Sequence, residues 1–188
     1  ENSSISSIGL HAFSGCSNLA DISFSGMTIG GIGTEAFSGC GSLTSLNIND
    51  VATIGSMDDA AFAWSGLRST GLDKVVGLSS IPENAYNGCS ALTDTGLGGN
   101  TSITSIGVNA FKNCSRLATT GLENNTTIKT LREGCFSGTN MSGGLTLPLY
   151  SKIEELPSRA FYGSKLETVY FGCDHVVLIN STTFHKQN

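Results

Sequence analysis

The chain has 188 residues and a formal net charge of −5, with only ten lysine and arginine residues. So few basic residues argue against binding to the phosphate backbone of a nucleic acid. Apolar residues make up 39% of the chain, yet no apolar run approaches the roughly 18 residues that a transmembrane helix requires. The first residues show neither the basic nor the apolar stretch of a signal peptide, and we expect a fragment of a longer protein.

An Ala-Phe pair, or a close variant of it, recurs every 24 or 25 residues along the chain. An aliphatic residue stands seven residues before each alanine position, and another apolar residue stands four residues before it. A weaker eighth copy ends in Phe184, with Thr183 in the alanine position. Such a repeat predicts a solenoid, because each unit can bury its apolar face only against its neighbours. The aromatic positions of the first seven copies are Phe13, Phe37, Phe62, Tyr86, Phe111, Phe136 and Phe161.

Each Ala-Phe pair is followed by a second apolar series of the form L-x-x-L-x-L, which is the strand segment of a leucine-rich repeat. In copies three to five, threonine takes the middle leucine position and glycine follows it, so that TGL occurs three times. The sixth copy fits only if one residue is added between Met141 and Leu145. Parallel strands at about 4.8 Å spacing would form a seven-stranded sheet about 30 Å wide.

We therefore predict an α/β repeat fold, a right-handed leucine-rich-repeat solenoid with a parallel concave sheet. The Ala-Phe phrases are predicted to form short helical or 3-10 turns on the convex side, where the small alanine permits close packing of neighbouring turns. Residues 1–188 are predicted to form a single solenoid domain of seven repeats and a partial eighth.

The convex phrases resemble those of the BspA-like leucine-rich repeats, also called the Treponema pallidum type. The matching segments are IGLHAFSGCSNL (residues 8–19), IGTEAFSGCGSL (32–43), IPENAYNGCSAL (81–92) and IGVNAFKNCSRL (106–117). The resemblance implies an exported surface protein of a host-associated bacterium or a parasitic protist, and several members of this family are adhesins for host matrix or plasma proteins. The TGL strands depart from the family's pattern.

Four of the six cysteines share one position, four residues after the alanine of the Ala-Phe pair, where other copies have serine or threonine. This exchange favours a small buried site beside backbone carbonyl groups, occupied by free thiols. Disulfides between adjacent repeats are the alternative, pairing Cys16 with Cys40 and Cys89 with Cys114. No C-x-x-C motif is present, which argues against zinc or thioredoxin-like chemistry.

Residues that could carry catalysis are scattered along the chain. His11 occupies a variable turn position, and His185 lies near the end. The Cys-Asp-His run at residues 173–175 is extended, and alternation of side chains keeps its three members from facing one point. The two aspartates at residues 58–59 are expected in a solvated turn. We therefore expect no enzymatic activity, no metal site and no cofactor.

Two asparagines occupy the position at which other leucine-rich repeats place a structural asparagine. Asn100 and Asn125 each begin an N-x-[ST] sequon, as does Asn2. For Asn100 and Asn125 we expect the side chains to bind backbone groups of the turn between repeats, in preference to carrying a glycan.

Residues between the leucine positions should point away from the core and form the concave face, the usual ligand surface of such solenoids. A second candidate is Trp64, either as an exposed anchor or, the favoured interpretation, as a plug in a shortened turn. The predicted ligand-binding residues of the concave face are Asp21, Asn47, Asp94, Thr168 and Tyr170.

The sequence thus predicts a non-enzymatic protein-binding module, extracellular or at the cell surface. The resemblance implies that its partner is a host extracellular-matrix or plasma protein. The alternative is a structural spacer or self-association solenoid that supports another domain. Neither a nucleic-acid partner nor a membrane span is expected.

Overall fold

The computed structural model describes residues 3–184, so the predictions that involve Asn2 and His185 lie outside the described residues. The chain forms stacked coils whose strands pair in parallel with strands of the neighbouring coil. This solenoid of about seven turns confirms the predicted repeat architecture. We number the coils 1 to 8 by their anchor aromatics, Phe13, Phe37, Phe62, Tyr86, Phe111, Phe136, Phe161 and Phe184.

Most of the strands are short. The 3-10 helices cover Leu72–Lys74, Leu97–Gly99 and Leu122–Asn124. Within residues 3–184 the strands form four sheets, with the orders β1-β2-β3-β4, β5-β6-β7, β10-β8 and β11-β9. The strand bounds are β1 Ser4–Ile5, β2 Thr28–Ile29, β3 Ala52–Ile54, β4 Val75–Val76, β5 Ser80–Ile81, β6 Ser105–Ile106, β7 Thr130–Leu131, β8 Ser142–Leu147, β9 Glu155–Leu156, β10 Lys165–Phe171 and β11 Leu178–Ile179.

The anchor aromatics form one continuous ladder through the core. Successive ring centroids are 5.1 to 5.7 Å apart, and the ring planes differ by at most 12°. The ladder extends to Phe184 of the eighth copy, which stacks on Phe161 at 5.6 Å. Aromatic pairs at this separation add to the free energy gained by burying their surface.

The L-x-x-L-x-L segments do not form the predicted seven-stranded sheet. Among residues 3–184 they are strands only in coils 6 and 7, as β8 and β10. In coils 3 to 5 the glycine of TGL has a φ of 67 to 78° and starts a 3-10 helix, which ends the extended segment. The 3-10 helices therefore follow TGL, and the Ala-Phe phrases are turns. A side chain at Gly96 is also excluded, because its Cβ would lie 2.8 Å from the backbone nitrogen of Leu72.

The threonines of TGL link the coils where strand pairing is lost. Thr70 Oγ1 donates to the carbonyl of Thr95 at 2.6 Å, and Thr95 Oγ1 donates to the carbonyl of Thr120 at 2.8 Å. Each threonine hydroxyl also accepts the N–H of the leucine two residues later, at 3.0 to 3.2 Å. These bonds satisfy buried polar groups that a leucine in the same position would leave unpaired.

In coils 1 to 7 two positions of the Ala-Phe phrase have left-handed backbone, the residue before the alanine position and the second residue after the aromatic. Glycine and asparagine are frequent there because they adopt this conformation at low cost. Trp64 occupies the second of these positions, with a φ of 59°. Its indole lies over Gly88, where a Cβ would be 2.4 Å from Trp64 Cε3, yet the side chain is 60% exposed. The indole therefore covers Gly88, as a plug would, and remains on the surface.

The shared cysteine position is the small site beside carbonyl groups that the exchange with serine and threonine predicts. Cys40, Cys89 and Cys114 are buried, and each donates through Sγ to the carbonyl of the anchor aromatic in the preceding coil, at 3.1 to 3.2 Å. All six cysteines are free thiols. Cys16, in coil 1, is exposed.

Burial should decide which thiols react. Desolvation raises the pKa of Cys89 to about 11 and that of Cys135 to about 12, and only the thiolate is a nucleophile. We expect iodoacetamide at about pH 8 to alkylate Cys16 in the native protein, and Cys89 and Cys135 only after denaturant is added. Mass spectrometry of the tryptic peptides measures this order. Alkylation of Cys89 as fast as Cys16 would contradict the structure.

Tyr86 places a hydroxyl group in the aromatic ladder. Its side chain is fully buried, its Oη has no hydrogen-bond partner among residues 3–184, and desolvation raises the pKa of the phenol. Tyr86→Phe removes the unpaired group and keeps the ring, so we expect the free energy of unfolding to rise by about 1 kcal/mol. Urea denaturation measures the change, with Tyr150→Phe as the exposed control. A less stable Tyr86→Phe protein would show that the hydroxyl has a partner.

Candidate functional site

The predicted binding residues lie on what we term the leucine face, the surface formed by the residues between the leucine positions and by the three 3-10 helices. Asp21, Asp94, Thr168 and Tyr170 are exposed on it, and Asn47 is half-buried. The structure brings these residues together only in part. Asn47 and Asp94 border one depression, whereas Thr168 and Tyr170 lie side by side on β10. Asp21 lies in coil 1 and lines none of the depressions described below.

The side chains of Asn47 and Asp94 both form hydrogen bonds with backbone groups of the protein. Asn47 has a φ of 48°, and its Nδ2 donates to the carbonyl of Ile22 in coil 1 at 2.9 Å. Asp94 accepts the N–H of Gly96 through Oδ1 at 2.9 Å and the hydroxyl of Ser69 through Oδ2 at 3.2 Å. Asp94 remains exposed, so its charge is fixed in position and open to a ligand.

An acidic depression surrounds Asp94. It is lined by Asp73, Asp94 and Glu123, with glycines 96, 98, 99 and 121 between them. Asp73 and Glu123 were missed by the sequence analysis, because a strand through TGL would not bring them to this surface. The signal that could have found them is the glycine itself, which turns the chain so that the following 3-10 helix carries each carboxylate toward the depression.

A cleft of about 250 Å³ separates coil 5 from coil 6 on the same face. One wall consists of Ala118, Thr119, Thr120 and Glu123 of coil 5, and the other is formed mainly by residues 142–146 of β8. Thr119 and Glu123 also line the acidic depression, so the cleft and the depression are continuous.

Tyr170 and Thr168 lie over the far wall of this cleft. A Cβ at Gly144 would be 3.1 Å from Thr168 Oγ1 and 3.2 Å from Tyr170 Cε2. The ring of Tyr170 is 60% exposed. The leucine face therefore carries a fixed carboxylate at Asp94, an acidic depression, a cleft and an exposed aromatic ring on coils 3 to 7.

The other candidate groups are dispersed. His175 donates through Nε2 to the carbonyl of Ile153 at 2.8 Å, which ties the final segment to coil 7. Among residues 3–184 no group of three or more histidine, cysteine, aspartate or glutamate side chains is arranged to hold a metal ion. The same residues include no helix of the length and apolar character needed to cross a membrane.

Comparison with known proteins gives matches to the repeat and to the fold. A profile of the family described as BspA type leucine rich repeat region matches residues 2–74 and 55–188, in six copies. The crystal structure of a leucine-rich repeat protein from Bacteroides ovatus is similar with a TM-score of 0.51 at 17% sequence identity, which shows the fold alone. The match covers 94% of this chain and 59% of that one, so this chain spans about three fifths of the relative's length. No curated protein matches the chain.

Proposed function

Because the chain belongs to the BspA-type leucine-rich-repeat family, whose fold generally serves as a non-enzymatic binding scaffold, we propose that it binds a protein through its leucine face. The observation that carries this proposal is the series of connected depressions on that face, from Asp94 to Tyr170. An exposed aromatic ring supplies the contact that most often dominates protein–protein affinity. The fixed carboxylate of Asp94, together with Asp73 and Glu123 on the same face, selects the charge of the partner.

We further propose that the protein acts outside the cell or at the cell surface and adheres to a host extracellular-matrix or plasma protein. Support comes from family membership, because BspA-type proteins are commonly associated with bacterial surfaces. The free cysteines argue neither for nor against an extracellular location, since the coils are held together by backbone hydrogen bonds and apolar packing without any disulfide.

The test is a binding screen against immobilised matrix and plasma proteins, with two matched double variants. Asp94→Lys with Tyr170→Ala alters the leucine face, and Asp58→Lys with Trp64→Gly makes the same type of change on the Ala-Phe turns. We expect saturable binding of the wild-type protein, loss of at least tenfold in affinity in the first variant, and little change in the second. Loss of affinity in the second variant alone would place the binding site on the Ala-Phe turns.

A spacer or self-association role is the alternative, and one observation favours it. The apolar side chains of Val176, Leu178 and Ile179 in coil 8 are exposed, and another coil could pack on them. This alternative predicts that no protein of the screen is retained and that self-association weakens in Leu178→Lys, which sedimentation velocity measures.

A further inference from the structure

The leucine face changes its backbone structure between coil 5 and coil 6, although the aromatic ladder continues from Phe111 to Phe136. In coils 3 to 5 the leucine segment turns into a 3-10 helix, whereas in coil 6 it continues as the six-residue strand β8. β8 pairs with β10 on one side, and no strand within residues 3–184 pairs with its other side. A strand edge of this kind offers unpaired backbone donors and acceptors to another chain.

The direction of the backbone groups in β8 follows from its pairing. Lys165 N–H donates to the carbonyl of Met141 at 2.7 Å, and Gly172 N–H donates to the carbonyl of Leu147 at 2.8 Å. Along a parallel strand, successive residues direct their N–H and C=O groups to opposite neighbours. The backbone N–H and C=O groups of the odd-numbered residues of β8 therefore point toward β10. Those of Ser142, Gly144 and Thr146 point toward coil 5.

These three residues also line the cleft. Within residues 3–184 no backbone hydrogen bond joins them to coil 5, although Asn140 N–H, just before β8, donates to the carbonyl of Leu117 at 3.1 Å. Coil 5 bounds this edge at both ends, through the bond from Asn140 to Leu117 and through the 3-10 helix Leu122–Asn124, which lies close to β8. Gly143 bends the edge with a φ of 78°, so the open length is at most about 13 Å, which is room for two or three residues of an extended chain.

The charged residues that line the cleft and the acidic depression are all acidic. Glu123 lines the cleft, Asp94 and Asp73 continue the negative surface into the acidic depression, and neither lining includes lysine or arginine. Glu123 is only lightly engaged, by a 3.4 Å hydrogen bond from the hydroxyl of Thr120. A cation that approaches the cleft therefore meets uncompensated carboxylates.

We propose that the cleft between coil 5 and β8 binds an extended, lysine- or arginine-bearing segment of a protein partner, which pairs with the free edge of β8 and places a cation beside Glu123. Strand addition of this type obtains affinity from backbone hydrogen bonds and selectivity from alternate side chains. The inference rests on the proposed function, and it names the part of the leucine face and the class of segment that bind.

The test uses labelled hexapeptides in place of the partner. The probe is fluorescein-Thr-Lys-Val-Lys-Val-Thr, and its controls are the same peptide with glutamate in place of lysine and a lysine peptide N-methylated at alternate residues. We expect the lysine peptide to bind in fluorescence anisotropy, more tightly at low salt, and both control peptides to fail. Equal binding of the N-methylated peptide would overturn strand addition, and equal binding of the glutamate peptide would overturn the charge assignment.

The protein variants are Glu123→Gln and, as a control of the same chemistry on β9, Glu155→Gln. Glu123→Gln should weaken binding of the lysine peptide about fivefold, as expected for one surface ion pair, and Glu155→Gln should leave it unchanged. Melting curves verify that both variants are folded. If the screen retains a protein, the lysine peptide does not bind, and Glu123→Gln leaves the affinity for the retained protein unchanged, this inference is overturned. The proposed function would then still stand. If the lysine peptide binds along the edge of β8 but the screen retains no protein, the proposed host adhesion is contradicted and the inference about the cleft stands.

Discussion

Phe111→Ala is expected to lower the free energy of unfolding by about 3–5 kcal/mol, the usual cost of truncating a fully buried Phe. Phe111 is 0% exposed and stacks on Tyr86 and on Phe136, with centroids 5.3 Å apart in both pairs. The substitution opens a cavity in the middle of the ladder, where two neighbouring coils lose contacts. Urea denaturation followed by circular dichroism measures the loss.

Phe13→Ala is the matched control, because Phe13 stacks on a single ring among residues 3–184, that of Phe37, and is 36% exposed. We expect it to cost clearly less than Phe111→Ala. Stability in a solenoid is transmitted between nearest neighbours, so Phe111→Ala should also broaden the transition or divide it into two. Equal losses for the two variants would mean that the ladder does not couple the coils.

Asn100→Leu is expected to be about as damaging as the loss of the Phe. The Asn100 side chain is 4% exposed, and its Nδ2 donates to the carbonyls of Leu72 and Val75 at 2.7 and 3.0 Å. Its Oδ1 accepts the N–H groups of Ser102 and Ile103 at 2.9 and 2.8 Å. Leucine removes these four hydrogen bonds, and at about 1 kcal/mol each the loss is roughly 4 kcal/mol, although the carbonyl of Leu72 keeps the bond from the N–H of Val75.

Two further variants separate hydrogen bonding from size. Asn100→Asp keeps the acceptor and sets a carboxylate oxygen against the carbonyls of Leu72 and Val75, so it should also be strongly destabilising near neutral pH. Asn124→Leu changes an exposed asparagine next to the equivalent position in coil 5, and we expect little change there. The urea midpoints of Asn100→Leu, Asn100→Asp and Asn124→Leu measure these differences in stability. A stable Asn100→Asp protein would contradict the assigned hydrogen bonds.

The positions that stack coil on coil could be predicted from the sequence. The spacing of the aromatics predicts the ladder, because identical neighbours must bury identical faces. Exchange of cysteine with serine and threonine predicts a thiol beside a carbonyl, which the bond from Cys89 to Phe62 confirms. The asparagine position predicts the bonds made by Asn100 and by Asn125, whose Nδ2 donates to the carbonyl of Leu97 at 2.7 Å.

The course of the chain after each threonine could not be predicted from the same pattern. An apolar residue two positions after another is compatible with a strand, but the glycine between Thr95 and Leu97 turns the backbone instead. The equivalent turns at Gly71 and Gly121 bring Asp73 and Glu123 onto the leucine face, where the sequence analysis had placed neither of them. The additional residue in coil 6 was visible in the sequence, whereas the cleft depends on how two dissimilar coils meet. The ligand-binding roles of Asp21, Asn47, Asp94, Thr168 and Tyr170 remain proposals.

Hydrogen–deuterium exchange of the protein alone and saturated with a protein that it retains in the screen tests the central claim most directly. If the leucine face is the binding surface, the bound protein should slow exchange at residues 94–99, 119–124, 142–147 and 168–170, and leave the turns at residues 60–65 and 84–89 unchanged. Slower exchange confined to those turns would contradict binding through the leucine face.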